Sequence, residues 1–138
     1  MKNGNGTMDI TVKEVLIKAR NKIANWENWC RFTVAKRPCY EADFPFDETV
    51  LISCGAQDPL ACQWCATGAV TSAIPLVSYD AAPTAFNCYN KIKVAAVEAL
   101  NAACPNSIND IIGYNDHAET RHSEIISVFD KAIKELEK

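Results

Sequence analysis

Prolines divide this chain into segments, and between them the apolar residues recur at the three- and four-residue spacing of an α-helix. Proline lacks a backbone N–H and disfavours helix at the residue before it, so each proline marks a place where a helix begins or ends. Pro38, Pro75 and Pro105 are predicted to end helices, and Pro83 to begin one. We therefore predict four main helices, at about 11–35, 58–74, 83–104 and 120–138.

Capping signals support the starts of the first two helices. Thr11 and Glu14 have the spacing of a capping box, in which each side chain accepts the other residue's backbone N–H. Asp58, directly before a proline, is typical of an N-cap. Between these helices, residues 38–57 have no helical period. They are predicted to be mostly an ordered loop, with 50–52 as a short extended piece.

The sequence thus predicts an all-α fold, a single compact domain of four main helices with a long ordered loop between helices 1 and 2. Its 138 residues, 49% of them hydrophobic and 22% charged, are enough to bury a core without cross-links. Residues 1–9, rich in Gly and Asn, are predicted to be a flexible tail. The domain is predicted to cover 10–138.

Charge and hydropathy limit the partners. A net charge of -3 gives no general attraction to nucleic acid or to an anionic membrane. No apolar run approaches the roughly 20 residues that span a bilayer, and residues 1–9 lack the apolar segment of a secretory signal. We therefore expect a cytoplasmic protein whose seven cysteines are reduced. Small molecules or other proteins are its expected partners.

Cys62 and Cys65 form a C-x-x-C pair that could hold a metal ion or act in redox chemistry. A structural zinc site needs four ligands, and the sequence has no second C-x-x-C and no H-x-x-H pair. A thioredoxin-like motif needs a βαβ setting, which the helical pattern does not provide. Buried cysteines most often pack as small hydrophobic residues. We therefore predict no metal and no cofactor.

The more specific alternative is that Cys65 is a catalytic nucleophile. Cysteine hydrolases need a thiolate, a base that takes its proton and a group that orients the base. His122 and His117 are candidate bases, and Asn115 and Asp116 are candidate orienting groups. If helix 2 begins six residues earlier, however, Cys65 lies in its second turn, where the helix dipole does little for a thiolate.

The polar stretch GYNDHAETRHSEI at 113–125 has a local explanation as well as a functional one. Asn115 and Asp116 can cap the loop or the next helix, and Thr120 can cap the last helix. That explanation does not say why so many hydrogen-bonding side chains gather between two apolar elements. The stretch is therefore also a candidate wall of a site.

Several short motifs resemble signatures of an uncharacterised family of small bacterial and phage proteins, whose shared domain has no known function. They are W-C-A-x-G-A at 64–69, aromatic-N-D at 114–116, H-x-E-[VI] at 122–125 and F-D-K-A-I at 129–133. The pair Trp29 and Cys30 near the first helix is also similar. The chain departs from the family's pattern at Tyr114, where a Trp is usual, and at Arg121, where a Thr is usual.

The resemblance implies no activity, but it implies that Trp64 and Cys65 pack against the segment 115–124. On a helix these two neighbours would point about 100° apart, so one could be core while the other meets the polar loop. Gly68 lowers helix propensity by about 1 kcal/mol relative to Ala. We therefore expect another backbone to lie close to Gly68.

These observations predict a small polar site where helix 2 meets the loop 113–122 and the start of the last helix. The predicted ligand-binding residues are Trp64, Cys65, Asn115, Asp116, His122 and Glu124.

The predicted function is that of a small cytoplasmic accessory protein, bacterial or from a phage, that binds a ligand or a partner protein. The resemblance makes a nucleotide-like small molecule one candidate ligand. A first alternative is a cysteine-dependent hydrolase or transferase that uses Cys65 with His122 or His117. A second is a protein–protein adaptor that uses the aromatic residues of 26–32. The sequence leaves open whether the protein is an enzyme.

Overall fold

A computed structural model describes residues 10–38, 50–75, 83–105 and 108–137. The described residues form five α-helices, α1 (Val12–Lys22), α2 (Ala66–Ala73), α3 (Pro83–Ala103), α4 (Ile111–Asp116) and α5 (His122–Leu136). They also form the strands β1 (Ala35–Pro38), β2 (Leu51–Cys54) and β3 (Gln63–Trp64), and a 3₁₀ turn at Trp26–Asn28. The predicted tail at 1–9, and 39–49 of the predicted loop, lie outside the described residues.

The fold is mixed α/β, so the prediction of an all-α fold is wrong. The three strands form an antiparallel sheet in the order β2-β1-β3. In this sheet Lys36 lies opposite Ser53 on one side and opposite Gln63 on the other. β3 lies within the predicted second helix, and β1 begins at the predicted end of the first helix, whereas β2 confirms the short extended piece expected near 50–52. Strand pairing joins segments that are distant in sequence, and a local helical period does not report it.

Helix α1 begins as the capping box predicts but ends well before residue 35. Thr11 Oγ1 accepts the N–H of Glu14 at 3.1 Å, and Glu14 Oε1 accepts the N–H of Thr11 at 2.8 Å. The helix ends at Lys22, and Asn25 then caps the 3₁₀ turn with its side chain. Asn side chains compete with the helix for backbone hydrogen bonds, which accounts for the early end.

Helix α2 begins at Ala66 rather than at the Asp-Pro pair. The Asp58 carboxylate accepts the N–H of Leu60 at 2.8 Å, so this pair makes a local turn instead of starting a helix. The chain then pairs with β1 as β3, and Cys65 is the N-cap residue of α2. Trp64 and Cys65 therefore lie on a strand and at a cap, not inside a helix as predicted.

Helices α3 and α5 confirm the predicted segments to within two residues at each end. The expected single turn at 107–112 is instead α4, which begins four residues later. The expected cap at Thr120 is wrong, since Arg121 holds the N-cap position of α5. The Glu124 carboxylate accepts the N–H of Arg121 at 2.8 Å, which satisfies one free donor at the helix start.

The hydrophobic core lies where α1, α2, α3 and α5 meet. Leu16, Val70, Leu100 and Phe129, one from each helix, are fully buried. Packing of this kind supplies most of the stability of short helices. β3 leads directly into α2, so the sheet meets the helical core at Cys65. In the described ranges no helix is both long and apolar enough to cross a bilayer.

Candidate functional site

Two Trp-Cys dipeptides lie side by side at the junction of the sheet and α2. Trp29 and Trp64 form a parallel β-bridge, and the N–H of Cys30 donates to the carbonyl of Trp64 at 3.1 Å. The N–H of Cys65 in turn donates to the carbonyl of Val34 at 3.1 Å. The segment after the 3₁₀ turn is therefore tied to the start of α2.

Asn115 joins this junction to α4 through all four of its hydrogen-bonding positions. Its Oδ1 accepts the indole N–H of Trp29 at 2.7 Å and the backbone N–H of Ala66 at 2.9 Å. Its Nδ2 donates to the carbonyl of Cys30 at 3.1 Å and to Oδ1 of Asp116 at 3.0 Å. The side chain is 1% exposed. Its donors and acceptors are all used within the protein, so Asn115 holds the parts of the site together.

Asp116 uses only one of its two carboxylate oxygens in the same network. Oδ1 accepts the Nδ2 donor of Asn115 and the backbone N–H of Phe32, the latter at 2.8 Å. Among the residues that the structure describes, no donor bonds to Oδ2. The side chain is half-buried. Oδ2 of Asp116 is therefore available to a donor on a ligand, while the hydrogen bonds to Oδ1 hold the carboxylate in position.

Gly68 allows α2 to approach the segment before β1 closely. A Cβ at this position would lie 1.8 Å from the carbonyl oxygen of Val34. Such a distance is far below van der Waals contact, so no other residue fits without a backbone shift. The prediction that another backbone lies close to Gly68 is confirmed.

Phe32 combines an unusual backbone with an unusually exposed side chain. Its φ is 70°, a region that bulky L-residues rarely adopt. Its side chain is 77% exposed. Next to it, Arg31 donates to the carbonyl of Thr120 and lies 4.7 Å from the centre of the Trp29 ring. The contacts of Arg31, together with the bond from the Phe32 N–H to Asp116, therefore hold this conformation.

A cavity of about 170 Å³ opens between the segment 32–34 and α4. Its apolar walls are Phe32, Val34 and Ile112, all of them exposed. Its polar lining is Thr33, Cys65, Thr67, Asn115 and Asp116. Val34, Thr67 and Ile112 also line an adjoining groove of about 510 Å³ along α3. The cavity and the groove share a wall and form one continuous surface.

Cys65 lies on the cavity wall at the N-terminal end of α2. Its Sγ accepts the N–H of Gly68 at 3.3 Å and lies 3.3 Å from Oγ1 of Thr67. The residue is 8% exposed. The expectation that Cys65 lies in the second helical turn is wrong, because α2 begins after it.

The two histidines do not line this cavity. His122 Nε2 lies 2.5 Å from the carbonyl oxygen of Ile23, and its ring centre is 5.7 Å from that of Trp29. His117 is exposed, and its Nδ1 accepts the N–H of Glu119 at 3.1 Å. The structure thus brings Cys65 to the cavity without either predicted base.

Trp64 and Glu124, the other predicted site residues, also lie off the cavity. The indole N–H of Trp64 donates to the carbonyl of Ala56 at 3.1 Å, and the ammonium of Lys22 lies 4.7 Å from its ring centre. Glu124 accepts a bond from the Tyr114 hydroxyl at 3.4 Å, besides its capping contact. Burial and the nearby Glu124 raise the pKa of Tyr114. The structure therefore places Trp64 and Glu124 in contacts outside the cavity.

The Cys30 thiol, beside Cys65, is buried and unsuited to nucleophilic chemistry. Burial, with a further contribution from Cys65, raises the pKa of Cys30 to about 12. The protonated thiol donates to the carbonyl of Thr33 at 3.6 Å. Since the thiolate is the reactive form, this cysteine is inert near neutral pH. Across the described ranges, no group of three His, Cys, Asp or Glu side chains is placed to hold a metal ion.

The site that the sequence predicts lacks the apolar walls of the cavity, which are Phe32, Val34 and Ile112. It also lacks the hydroxyl groups of Thr33 and Thr67. One feature of the sequence indicates part of this lining. The dipeptide Trp-Cys occurs twice in the chain, but the sequence motifs place only its second copy at the predicted site. The pairing of the two copies brings Phe32 to the site as well.

Comparison with known proteins identifies the family of this chain. No curated protein and no solved structure matches it significantly. The model of a family described as "Family of unknown function (DUF6197)" matches residues 7–135, a range that contains every residue of the cavity. This chain therefore belongs to the family of unknown function DUF6197.

Proposed function

We propose that this protein binds a small organic molecule in the cavity between the segment 32–34 and α4. The observation that carries the proposal is the conformation of Phe32. A positive φ at a bulky residue costs about 1–3 kcal/mol, and such strain is found mostly at functional sites. The strained backbone here presents an aromatic ring to solvent at the mouth of a cavity. Folding alone does not account for that ring.

The dimensions of the site favour a ligand with a small head and an extended body. The cavity, at about 170 Å³, is smaller than the roughly 300–1,000 Å³ of typical ligand pockets. The adjoining groove adds about 510 Å³ and carries the apolar side chains Val94 and Val97 of α3. The head group would occupy the cavity, and the apolar body would lie over Ile112 and Val94.

The hydrolase or transferase alternative has one observation in its favour, the position of Cys65 on the cavity wall. Neither predicted histidine base lies there, since His122 contacts Ile23 and His117 contacts Glu119. A Cys65→Ser variant separates the alternatives. It should bind ligand as the wild type does if the protein only binds, whereas any turnover would be lost if the thiol attacks the ligand.

The adaptor alternative rests on exposed aromatic residues near the 3₁₀ turn. Trp26 is 67% exposed and Phe32 is 77% exposed, but Trp29 is committed to Asn115. Phe32 belongs to a concave surface, which suits a small molecule better than a flat protein partner. The bacterial or phage origin and the cytoplasmic location expected from the sequence are compatible with this binding role and remain part of the proposal.

A neutral aromatic probe tests the proposal without assuming the charge of the natural ligand. In an NMR titration of ¹⁵N-labelled protein, 2-phenylethanol should shift the amide signals of Phe32, Thr67 and Ile112. Phe32→Ala should weaken this binding about tenfold, because losing about 50 Å² of apolar contact costs about 1.3 kcal/mol.

The matched control is Trp26→Ala, which removes an exposed aromatic ring that does not line the cavity. This variant should bind the probe as the wild type does. Shifts confined to residues that line neither the cavity nor the adjoining groove would contradict the proposal, as would equal binding by the Phe32→Ala variant.

A further inference from the structure

We infer that the ligand of this cavity carries a cationic group, an ammonium or guanidinium, that pairs with the carboxylate of Asp116. This inference rests on the proposed function and names the chemical class of its ligand. Asp116 is the one charged side chain among the described residues that line the cavity. The other polar groups on the wall are hydroxyls, a thiol and the amide of Asn115, all of them uncharged.

The carboxylate of Asp116 is held ready for such a group. Oδ1 accepts bonds from Phe32 and from Asn115, which fix the position of the carboxylate. No donor among the described residues bonds to Oδ2. A cationic donor at Oδ2 would form a charge-assisted hydrogen bond, roughly twice as strong as a neutral one. Because the side chain is already placed, little conformational entropy would be lost on binding.

Among the described residues, no Lys or Arg lines the cavity. Arg31 precedes Phe32 in the chain, but it donates to the carbonyl of Thr120 and stacks on Trp29. In the adjoining groove, Lys93 and Glu98 carry opposite charges that offset each other. The charge of Asp116 therefore dominates the cavity and favours a cation there.

The apolar walls suit the same class of ligand. The exposed ring of Phe32 can contact a cation through its face, and Val34 and Ile112 can cover the carbon atoms next to the charged nitrogen. A phosphate group would meet Asp116 as a like charge. The nucleotide-like ligand expected from the sequence is therefore disfavoured unless its phosphate lies outside the cavity.

Three probes that share a phenyl ring and differ in charge test the inference. In NMR titrations at low salt, 2-phenylethylamine should bind at least about tenfold more tightly than 3-phenylpropionic acid, which corresponds to about 1.4 kcal/mol. The neutral 2-phenylethanol should fall between them. The preference should weaken as the salt concentration rises, because salt screens a half-exposed ion pair.

Asp116→Asn is the decisive variant, because its Oδ1 can keep both internal hydrogen bonds while the charge is lost. It should bind the amine no better than the alcohol. Glu119→Gln is the matched control, since Glu119 is exposed in the loop after α4 and does not line the cavity. This control should keep the full preference for the amine.

The outcomes separate this inference from the function on which it rests. If the alcohol shifts the cavity amides but the acid binds as well as the amine, the protein binds small molecules there and the cationic class is wrong. A preference for the amine that survives Asp116→Asn also overturns the inference. If none of the three probes shifts Phe32, Thr67 or Ile112, the proposed function itself fails.

Discussion

The backbone N–H of Phe32 donates a 2.8 Å hydrogen bond to Oδ1 of Asp116, 84 positions further along the chain. The same oxygen accepts the side-chain donor of Asn115 at 3.0 Å. One carboxylate thus connects the strained residue at the cavity mouth to the buried amide that holds the site together. The shape of the cavity depends on this connection between the segment 32–34 and α4.

Asn115→Ala should destabilise the fold far more than the loss of a helix cap would. The substitution removes four hydrogen bonds and leaves the N–H of Ala66 and the carbonyl of Cys30 without that partner in a buried setting. We expect a loss of about 3–5 kcal/mol in the free energy of unfolding, since an unsatisfied buried group costs about 1–3 kcal/mol. Urea denaturation measures this loss.

Asn21→Ala is the control for that measurement, because Asn21 is exposed on α1. It should change the free energy of unfolding by no more than about 0.5 kcal/mol. A loss below about 2 kcal/mol for Asn115→Ala would mean that Asn115 acts only as a cap.

Gly68→Ala should destabilise the protein although Ala is the better helix former. The added Cβ would overlap the carbonyl oxygen of Val34, which also accepts the N–H of Cys65. Relief of the overlap must move backbone and weaken that bond, so we expect a net loss of at least about 2 kcal/mol despite a propensity gain of about 1 kcal/mol. Gly55→Ala is the control, since no atom lies within 4 Å of its added Cβ. Thermal unfolding of both variants gives the comparison, and equal melting temperatures would refute the close contact.

Phe32→Gly should leave the fold as stable as the wild type or stabilise it by up to about 1 kcal/mol. Glycine adopts a positive φ without the Cβ strain that Phe32 bears, which offsets the entropy that glycine loses on folding. Phe32→Val should destabilise, because a β-branched side chain tolerates this backbone least. Chemical denaturation measures the free energy of unfolding of the wild type and the two variants. If Phe32→Gly were the least stable of the three, the Phe32 side chain would be needed for folding rather than for binding.

Stability should fall with pH above about 9, in part because of Cys30. Burial raises the pKa of Cys30 from 9.0 to about 12. In that interval the unfolded chain releases the thiol proton while the folded protein retains it. The contribution is therefore complete below pH 9 and is lost as the pH rises towards 12.

The measurement is the midpoint of urea denaturation in a reducing buffer between pH 8 and pH 10.5. Cys30→Ala should lower the stability at pH 8 but flatten its fall with pH. Cys104, whose pKa burial raises to about 11, should account for part of the remaining slope. An unchanged slope in Cys30→Ala would show that this thiol does not titrate differently in the two states.

Local patterns determined the helical part of this fold. The capping box of Thr11 and Glu14, the apolar stripe of α5 and the helical stretch after Pro83 each depend on residues within a few positions of one another. Gly68 likewise indicated a close backbone through its poor helix propensity. Such signals are visible in the sequence because the interactions that cause them are short-range.

The candidate site could be predicted in part. Cys65, Asn115 and Asp116 are expected together from the sequence, and the structure brings them to one cavity. His122 and Trp64 are expected there too, but the structure places them off that cavity in contacts with other segments. The residue types indicated where polar side chains cluster. They did not indicate which of those side chains would form hydrogen bonds with other parts of the protein.

Only the tertiary structure decided the sheet, the start of α2 and the wall formed by Phe32. Residues 63–64 lie in a stretch whose apolar spacing fits a helix, but they form a strand because β1 supplies backbone partners from elsewhere in the chain. Phe32 adopts its positive φ because Asp116, 84 residues away, accepts its N–H. Strand pairing and backbone strain depend on partners that are distant in sequence. A local sequence pattern does not identify those partners.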